Sequence, residues 1–397
     1  MTISDEKVAP VPESDIDLFT DDALGDPYPL LRELRKIGPV VKLPKYGFSA
    51  LTRYDAVREA LDDWNVFSSA SGVGLNPAIN GAMAGTIINS DPPHHTTLRS
   101  VLSSRLAPRA LSELKPSIVE KADRFVGELV GRGVFDAVTD LARTFPMAVV
   151  LDLLGFPEEG RDQLLRWGSS TFDAMGPGNA RCAEALPVAG EMFTWLAESC
   201  TPDRMRGGGF ATTIHEAAAR GEISQESVIP LMAAYSIPAF DTTISTIGSA
   251  IWLFARYPEE WSAVRHDRSL IMSAINEVLR VEAPIPLFAR VLTRSYVHDR
   301  YALDEGQRVL LLFASANRDE RHYSDPDRFD VRRGAVDHLS FGYGIHVCPG
   351  QGLAKMEIHA ILDALAQRVK RFELLGAPSR ELNNMTRSLS SLPIAVV

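Results

Sequence analysis

Apolar positions recur every three to four residues along most of this chain, over 111–129, 141–154, 186–198, 225–255, 270–281 and 353–369. That spacing gathers apolar side chains on one face and predicts amphipathic helices. Runs with a strand pattern are short and lie toward the two ends, at 40–43, 48–52, 289–293 and 309–313. Each is bounded by turn residues, as strands are. Glycine-rich stretches at 71–85 and 176–180 read as loops between helices. No repeat or interdomain linker interrupts the pattern. The expected architecture is mainly α with small β-sheets, with a flexible segment over 1–14 and a single domain over 15–397.

The most apolar stretch, 229–255, has the length of a membrane span, yet it contains Pro230, Pro238, Asp241 and five Ser or Thr from Thr242 onward. Those residues favour a buried core helix. Pro238 lies within YSIPAFDTT (235–243), where an interior proline removes a backbone hydrogen bond and costs about 3 kcal/mol. The helix is therefore expected to open there.

With 41 basic and 51 acidic residues in 397, the formal charge of −10 argues against a nucleic-acid or anionic-lipid binder. The first 14 residues have neither a basic nor an apolar block, so a cytoplasmic location is expected. Three cysteines, Cys182, Cys200 and Cys348, do not make a disulfide framework.

Cys348 lies in HLSFGYGIHVCPGQGLAK (338–355), just before a helical pattern. Pro349 suits the first helical position, so the sulfur is expected at a helix N-terminus, where a thiolate is favoured. His346 lies two residues away in an irregular loop, and nothing in that spacing builds a Cys-His catalytic pair. Zinc would need more sulfur or imidazole nearby. A single thiolate suits haem iron, whose four in-plane bonds all come from the porphyrin. Read as a dinucleotide fingerprint, Gly350 and Gly352 lack a third glycine, because Lys355 stands in its place.

Phe341, Gly342, Gly344, His346, Cys348 and Gly350 spell F-G-x-G-x-H-x-C-x-G. The stretch resembles the haem-thiolate loop of the cytochrome P-450 monooxygenases. The resemblance implies haem b (iron protoporphyrin IX) with Cys348 as axial metal ligand, O2 as co-substrate, and a triangular single-domain fold. It places Phe341, Gly342, His346, Gly350 and Ala354 against the cofactor. It also matches His95 and Arg99 (H-x-x-x-R), Arg290, His338 and His346 to the partners of the haem propionates. Glu277 and Arg280 match a structural E-x-x-R pair. In the family the central helix carries an acid and an alcohol over the iron, matched here by Asp241 and Thr242, which would relay protons to bound oxygen.

The resemblance further implies electrons from NAD(P)H, delivered by a separate ferredoxin or flavodoxin with its reductase. Arg99, Arg105, Arg109 and Arg280 are candidates for a basic docking face, and a monomer is expected. SSASGVGLNP, FDAMGPGN and SLPIAVV are similar to bacterial members that O-demethylate para-methoxybenzoates. Where those carry an arginine before Gly-Val-Gly, this chain has Ser71. Candidate substrate contacts are Leu75, Phe172, Met175, Pro238, Ala239, Ile285 and Phe288, mostly apolar. They favour a small hydrophobic aromatic, with a para-substituted benzoate as the alternative. A peroxide-driven enzyme would more readily dispense with the Asp-Thr pair, and a haem-thiolate gas sensor or carrier should bring a further domain or a second axial ligand.

Overall fold

The structure, a computed structural model, describes residues 8–397. The predicted helices are present, with differences at their ends. The site is framed by His94–Ser104 (α1), Pro108–Arg132 (α2), Thr144–Leu154 (α3), Leu164–Ala174 (α4), Ala180–Ser199 (α5), Val228–Arg256 (α6), Ile271–Val281 (α7) and Gln351–Arg368 (α8). α6 is the axis of the molecule. Leu231, Phe240, Ile247, Ile251 and Phe254 bury it on all sides, and α3, α4, α7 and α8 pack around it. A helix that is apolar all round has no solvent face to lose, which is why its sequence looks like a membrane span. Among the described residues no helix is long and apolar enough to cross a membrane.

Strands Val40–Leu43 (β1), Phe48–Leu51 (β2), Phe67–Ser68 (β3), Phe288–Leu292 (β4) and Arg308–Leu311 (β5) form one sheet in the order β1-β2-β5-β4-β3. β2 and β5 run parallel with Ser49 opposite Val309, and the remaining pairs are antiparallel. The sheet places β4, and with it Arg290, beside the loop that follows β3. A hairpin of Ser379–Leu382 (β6) and Arg387–Ser391 (β7), unanticipated by the periodicity, packs against α6.

Three expectations are corrected. α6 runs unbroken across Pro238. The missing N–H leaves the helix intact because the flanking turns are held by burial, and the Thr242 hydroxyl donates to the Pro238 carbonyl at 2.8 Å. The predicted helix 141–154 is split into a π-helical turn, Ala137–Ala142, and α3, because Asp136 Oδ1 accepts from the Val138 and Thr139 N–H groups and starts the turn early. In the segment expected to be flexible, residues 1–7 lie outside the described residues, but residues 9–14 are docked. Ala9 N–H donates to the Arg300 carbonyl at 2.8 Å, Lys42 N–H to Pro12 at 2.8 Å, and Ser14 N–H to Lys42 at 2.9 Å. Prolines at 10 and 12 favour extended backbone that can pair along the β1 edge.

Candidate active site

The cysteine loop is folded by its glycines. Gly342 and Gly344 take φ of +70° and +67°, a region side chains disfavour. A Cβ on Gly344 would also stand 2.5 Å from the Leu61 carbonyl oxygen. The loop closes through Cys348 N–H to the Phe341 carbonyl at 2.8 Å. α8 starts at Gln351 rather than at Pro349, so Pro349 and Gly350 form the turn that turns the sulfur onto the helix end. Burial pushes the Cys348 thiol up, against hydrogen bonds from the Gly350 and Gln351 N–H groups and the charge of Arg99. A bound cation would tip that balance to the thiolate. Cys182 and Cys200 are buried elsewhere.

His95, Arg99, Arg290 and His346 come together from α1, β4 and the cysteine loop. The His95 and His346 rings stand edge to face, 4.5 Å apart, and the Nε2 atom of each is buried without a partner. Arg99 donates to the Val347 carbonyl at 2.6 Å, which ties α1 to the loop. Burial lowers Arg290 to about 10, and burial together with Arg290, His95 and Arg99 drives His346 to about 2. Four donors are gathered here, Arg99 beside the sulfur, with Asp91 as the acid acting on His95 and Arg290. Two carboxylates of a flat cofactor would pair with the guanidiniums and the unpartnered imidazole nitrogens, so these residues fit haem. Asp91 is a contributor that motif matching misses. It binds the Ser69 N–H at 3.1 Å and the Ser68 hydroxyl.

His338 is not gathered with these four. Its Nδ1 accepts from Ser340 N–H at 3.2 Å, capping the turn before the loop. Burial and then Lys355 lower it to about 3. Phe341 lies between the His338 ring at 5.5 Å and Lys355 Nζ at 5.2 Å. Gly350 and Ala354 are joined by Ala354 N–H to the Gly350 carbonyl at 2.9 Å, on the first turn of α8.

Behind the loop, Arg280 pairs with both Glu277 oxygens at 2.8 Å, and both side chains are fully buried. Arg280 also donates to the carbonyls of Asn317, Pro326 and Arg328, and Glu277 also accepts from Arg333. This burial removes Arg280 from any docking face, and Arg99 is turned inward. Arg105 binds the Thr213 hydroxyl at 2.8 Å, while Arg109 is exposed. A charge run in the sequence does not distinguish a buried arginine from an exposed one.

On the opposite side, α6 presents Pro238, Ala239, Asp241 and Thr242. Asp241 Oδ2 is buried and unpartnered, and burial followed by Glu381 raises this carboxyl to about 8, against Arg143. Leu75, Phe172, Met175 and Ile285 are buried, and Phe288 is half-buried against Phe313. The Leu75 N–H donates to the Met175 carbonyl at 2.7 Å, which joins two of the expected substrate contacts. The loop around Leu75 is held by Arg308, a residue the sequence did not single out. Its guanidinium donates to the Ser71 and Gly74 carbonyls at 2.9 Å and to Gly72 at 2.5 Å.

A lone cysteine at a helix start, set beside a buried cationic nest and across from an acid-alcohol pair, defines a haem-thiolate oxygenase. Residues 211–394 match the Cytochrome P450 family model. The chain is 37% identical to cytochrome P450 CYP199A2 of Rhodopseudomonas palustris, over 99% of this chain and 97% of that protein. It is 29% identical to linalool 8-monooxygenase of Pseudomonas putida, over 96% and 97%. Among solved structures, cytochrome P450 CREJ in complex with (4-ethylphenyl) dihydrogen phosphate superposes with a TM-score of 0.85 at 27% identity, covering 94% of this chain and 98% of that one. CYP109Q5 from Chondromyces apiculatus gives 0.82 at 30%, over 96% and 98%. The chain belongs to the cytochrome P450 family: it is a mainly helical oxidoreductase of the monooxygenase class that uses haem b, a cysteine thiolate and O2.

Proposed function

We propose that this enzyme inserts one oxygen atom into a small, neutral, mostly hydrophobic aromatic, by hydroxylation or by O-demethylation of a methoxyarene such as an alkylated methoxyphenol. When bound, haem b supplies the dioxygen and one-electron chemistry. Cys348 would ligate its iron. His95, Arg99, Arg290 and His346 would hold its carboxylates, and Phe341, Gly342, Gly350 and Ala354 would shape the face against it. Asp241 and Thr242 carry protons to the oxygen side. The Thr242 hydroxyl donates to Pro238 yet keeps lone pairs to accept from water. Electrons come from NAD(P)H through a separate ferredoxin or flavodoxin system to a cytoplasmic monomer.

The observation that carries the substrate class is Arg308. It is the cation at the loop bearing Leu75, and three of its five N–H donors are committed to backbone carbonyls. A benzoate would find apolar side chains and a cation whose terminal nitrogens are engaged by the loop. The ligand of the CREJ structure, an aryl phosphate, supports a flat aromatic in this fold; because it is an anion, the neutral class rests on Arg308 alone.

Two measurements test the reading. The reduced, carbon monoxide-bound protein should show the red-shifted thiolate band, and Cys348→Ala should lose it. Spin-state titration should then rank neutral methoxyarenes above the matching benzoates. Tighter binding of the benzoates would overturn the neutral class, and an unchanged band in Cys348→Ala would overturn the ligand.

A further inference from the structure

Asp241 faces α4 at the one position there without a side chain. A Cβ on Gly168 would stand 3.4 Å from Asp241 Oδ2 and 3.5 Å from the Ile237 carbonyl. The next residue, Ser169, donates to Glu381 Oε1 at 3.0 Å, and Asn383 Nδ2 donates to the Ser169 carbonyl at 2.9 Å. Arg143 pairs with Glu381 Oε2 at 3.5 Å, and each of these two side chains is 37% exposed. Both oxygens of Glu381 are thereby oriented, and this part-exposed carboxylate is bonded to Ser169, the neighbour of the Gly168 that faces the buried acid on α6.

We propose that Glu381, held by Arg143 and Ser169, is the solvent-side station of the proton route to Asp241. The proposal rests on Asp241 and Thr242 acting as the relay of the preceding section. Each turnover joins O2, two electrons, two protons and a substrate C–H to give C–OH and water. When Asp241 has given its proton toward Thr242, a hydronium drawn to the Glu381 carboxylate from bulk water passes one proton to the Asp241 carboxylate and is left as water. Glu381 stays a carboxylate throughout, so the step consumes one solvent proton and restores Asp241. Glu381 and Arg143 act through Asp241 and are positioning residues.

The charges acting on Asp241 are Glu381 from β6 and Arg143 from the segment before α3. α4 offers Gly168 and Ser169 there, and its Asp173 is turned to the Asn384 N–H at 2.7 Å. Glu381 holds the Asp241 carboxyl up and Arg143 holds it down, so the two residues move the alkaline limb of turnover in opposite directions. As donor, Asp241 works below its titration and fails above it. Glu381→Gln should bring that limb to lower pH, and Arg143→Gln should send it to higher pH, each by about one pH unit or less.

The test uses haem-loaded enzyme with a surrogate ferredoxin and reductase and, as probe, the arene giving the largest spin-state shift. Glu381→Gln retains the acceptor for Ser169 and should lower kcat about three- to tenfold with KM unchanged and a larger solvent isotope effect. Arg143→Lys should restore the limb that Arg143→Gln displaces. Asp241→Asn separates the two readings. If it leaves kcat unchanged, the relay itself is wrong. If it lowers kcat while Glu381→Gln and Arg143→Gln leave both rate and limb in place, the relay stands and the station at Glu381 is refuted.

Discussion

The two sides of the site are built on opposite terms. On the cysteine side the backbone is fixed: Gly344 sits where a Cβ would collide, Arg99 ties α1 to the loop, and a fully buried ion pair fastens α7 to the 317–333 segment, with the His95 and His346 Nε2 atoms left without protein partners. On the α6 side the walls are apolar, and the polar groups, Asp241 and Thr242, retain unused hydrogen-bonding capacity. A cofactor that must be held in one geometry calls for an over-determined cradle, whereas oxygen, water and substrate need room to exchange. Chemistry is therefore written in a dense motif on one side, and selectivity is spread over many weakly marked residues on the other.

The largest effects should fall on the rigid side. Arg280→Met leaves Glu277 buried with Arg333 and the Asp330 N–H, both on Oε1, and should cost about 3–5 kcal/mol, read as a lower denaturation midpoint and poor haem retention. A loss no larger than that of a surface arginine would break the contrast. Gly344→Ala meets both the positive φ and the Leu61 carbonyl, and should cost about 2 kcal/mol or more with loss of the thiolate band.

Thr242→Ala probes the other side. It should lower coupled turnover about tenfold or more while folding stability changes by about 1 kcal/mol or less, measured as product formed per NAD(P)H consumed. Equal losses in stability and turnover would mean that the hydroxyl serves the helix alone. Arg308→Gln frees three carbonyls of the loop carrying Leu75 and should raise the KM for a neutral arene about tenfold, with broader product distribution and an unchanged thiolate band. If benzoates and neutral arenes weaken alike, the loop holds the wall in place without choosing the charge of the ligand.

The same division explains what could be read from the sequence. The F-G-x-G-x-H-x-C-x-G loop, the E-x-x-R pair and the His95–Arg99 spacing are local, and local spacing survives into structure. The 40–43 strand and the long helices were legible because burial on one face leaves a period. The hairpin Ser379–Ser391 was not, since its buried residues include Ser388, Arg387 and Asn384, which read as surface. The cap that His338 places on the Ser340 N–H was not legible in its motif, and it engages Nδ1 and not Nε2. Arg280 was read both as half of the E-x-x-R pair and as a docking cation; the second reading failed because spacing shows its partner at 277 but not those at 317, 326 and 328. Arg308 carried no motif, since its partners are backbone carbonyls more than 200 residues away.

Pro238 sharpens the contrast most, because there the two demands meet in one residue. α6 keeps its course across the proline, so the helix bears the missing N–H without a break. Pro238→Ala restores the donor and should stabilise the protein by about 1–3 kcal/mol, less what the freed unfolded chain regains in entropy. The ring is exposed, four residues before Thr242, and in the proposed function it borders the oxygen side of the site. Removing it should widen that space and relax the preference for thin aromatics, read as a smaller ratio of kcat/KM between unbranched and bulky arenes. A gain in stability with the ratio unchanged would make Pro238 a tolerated defect of the core. A loss in both would show that the ring itself packs against substrate and helix alike, and that the α6 side is less loosely built than its unpaired polar atoms suggest.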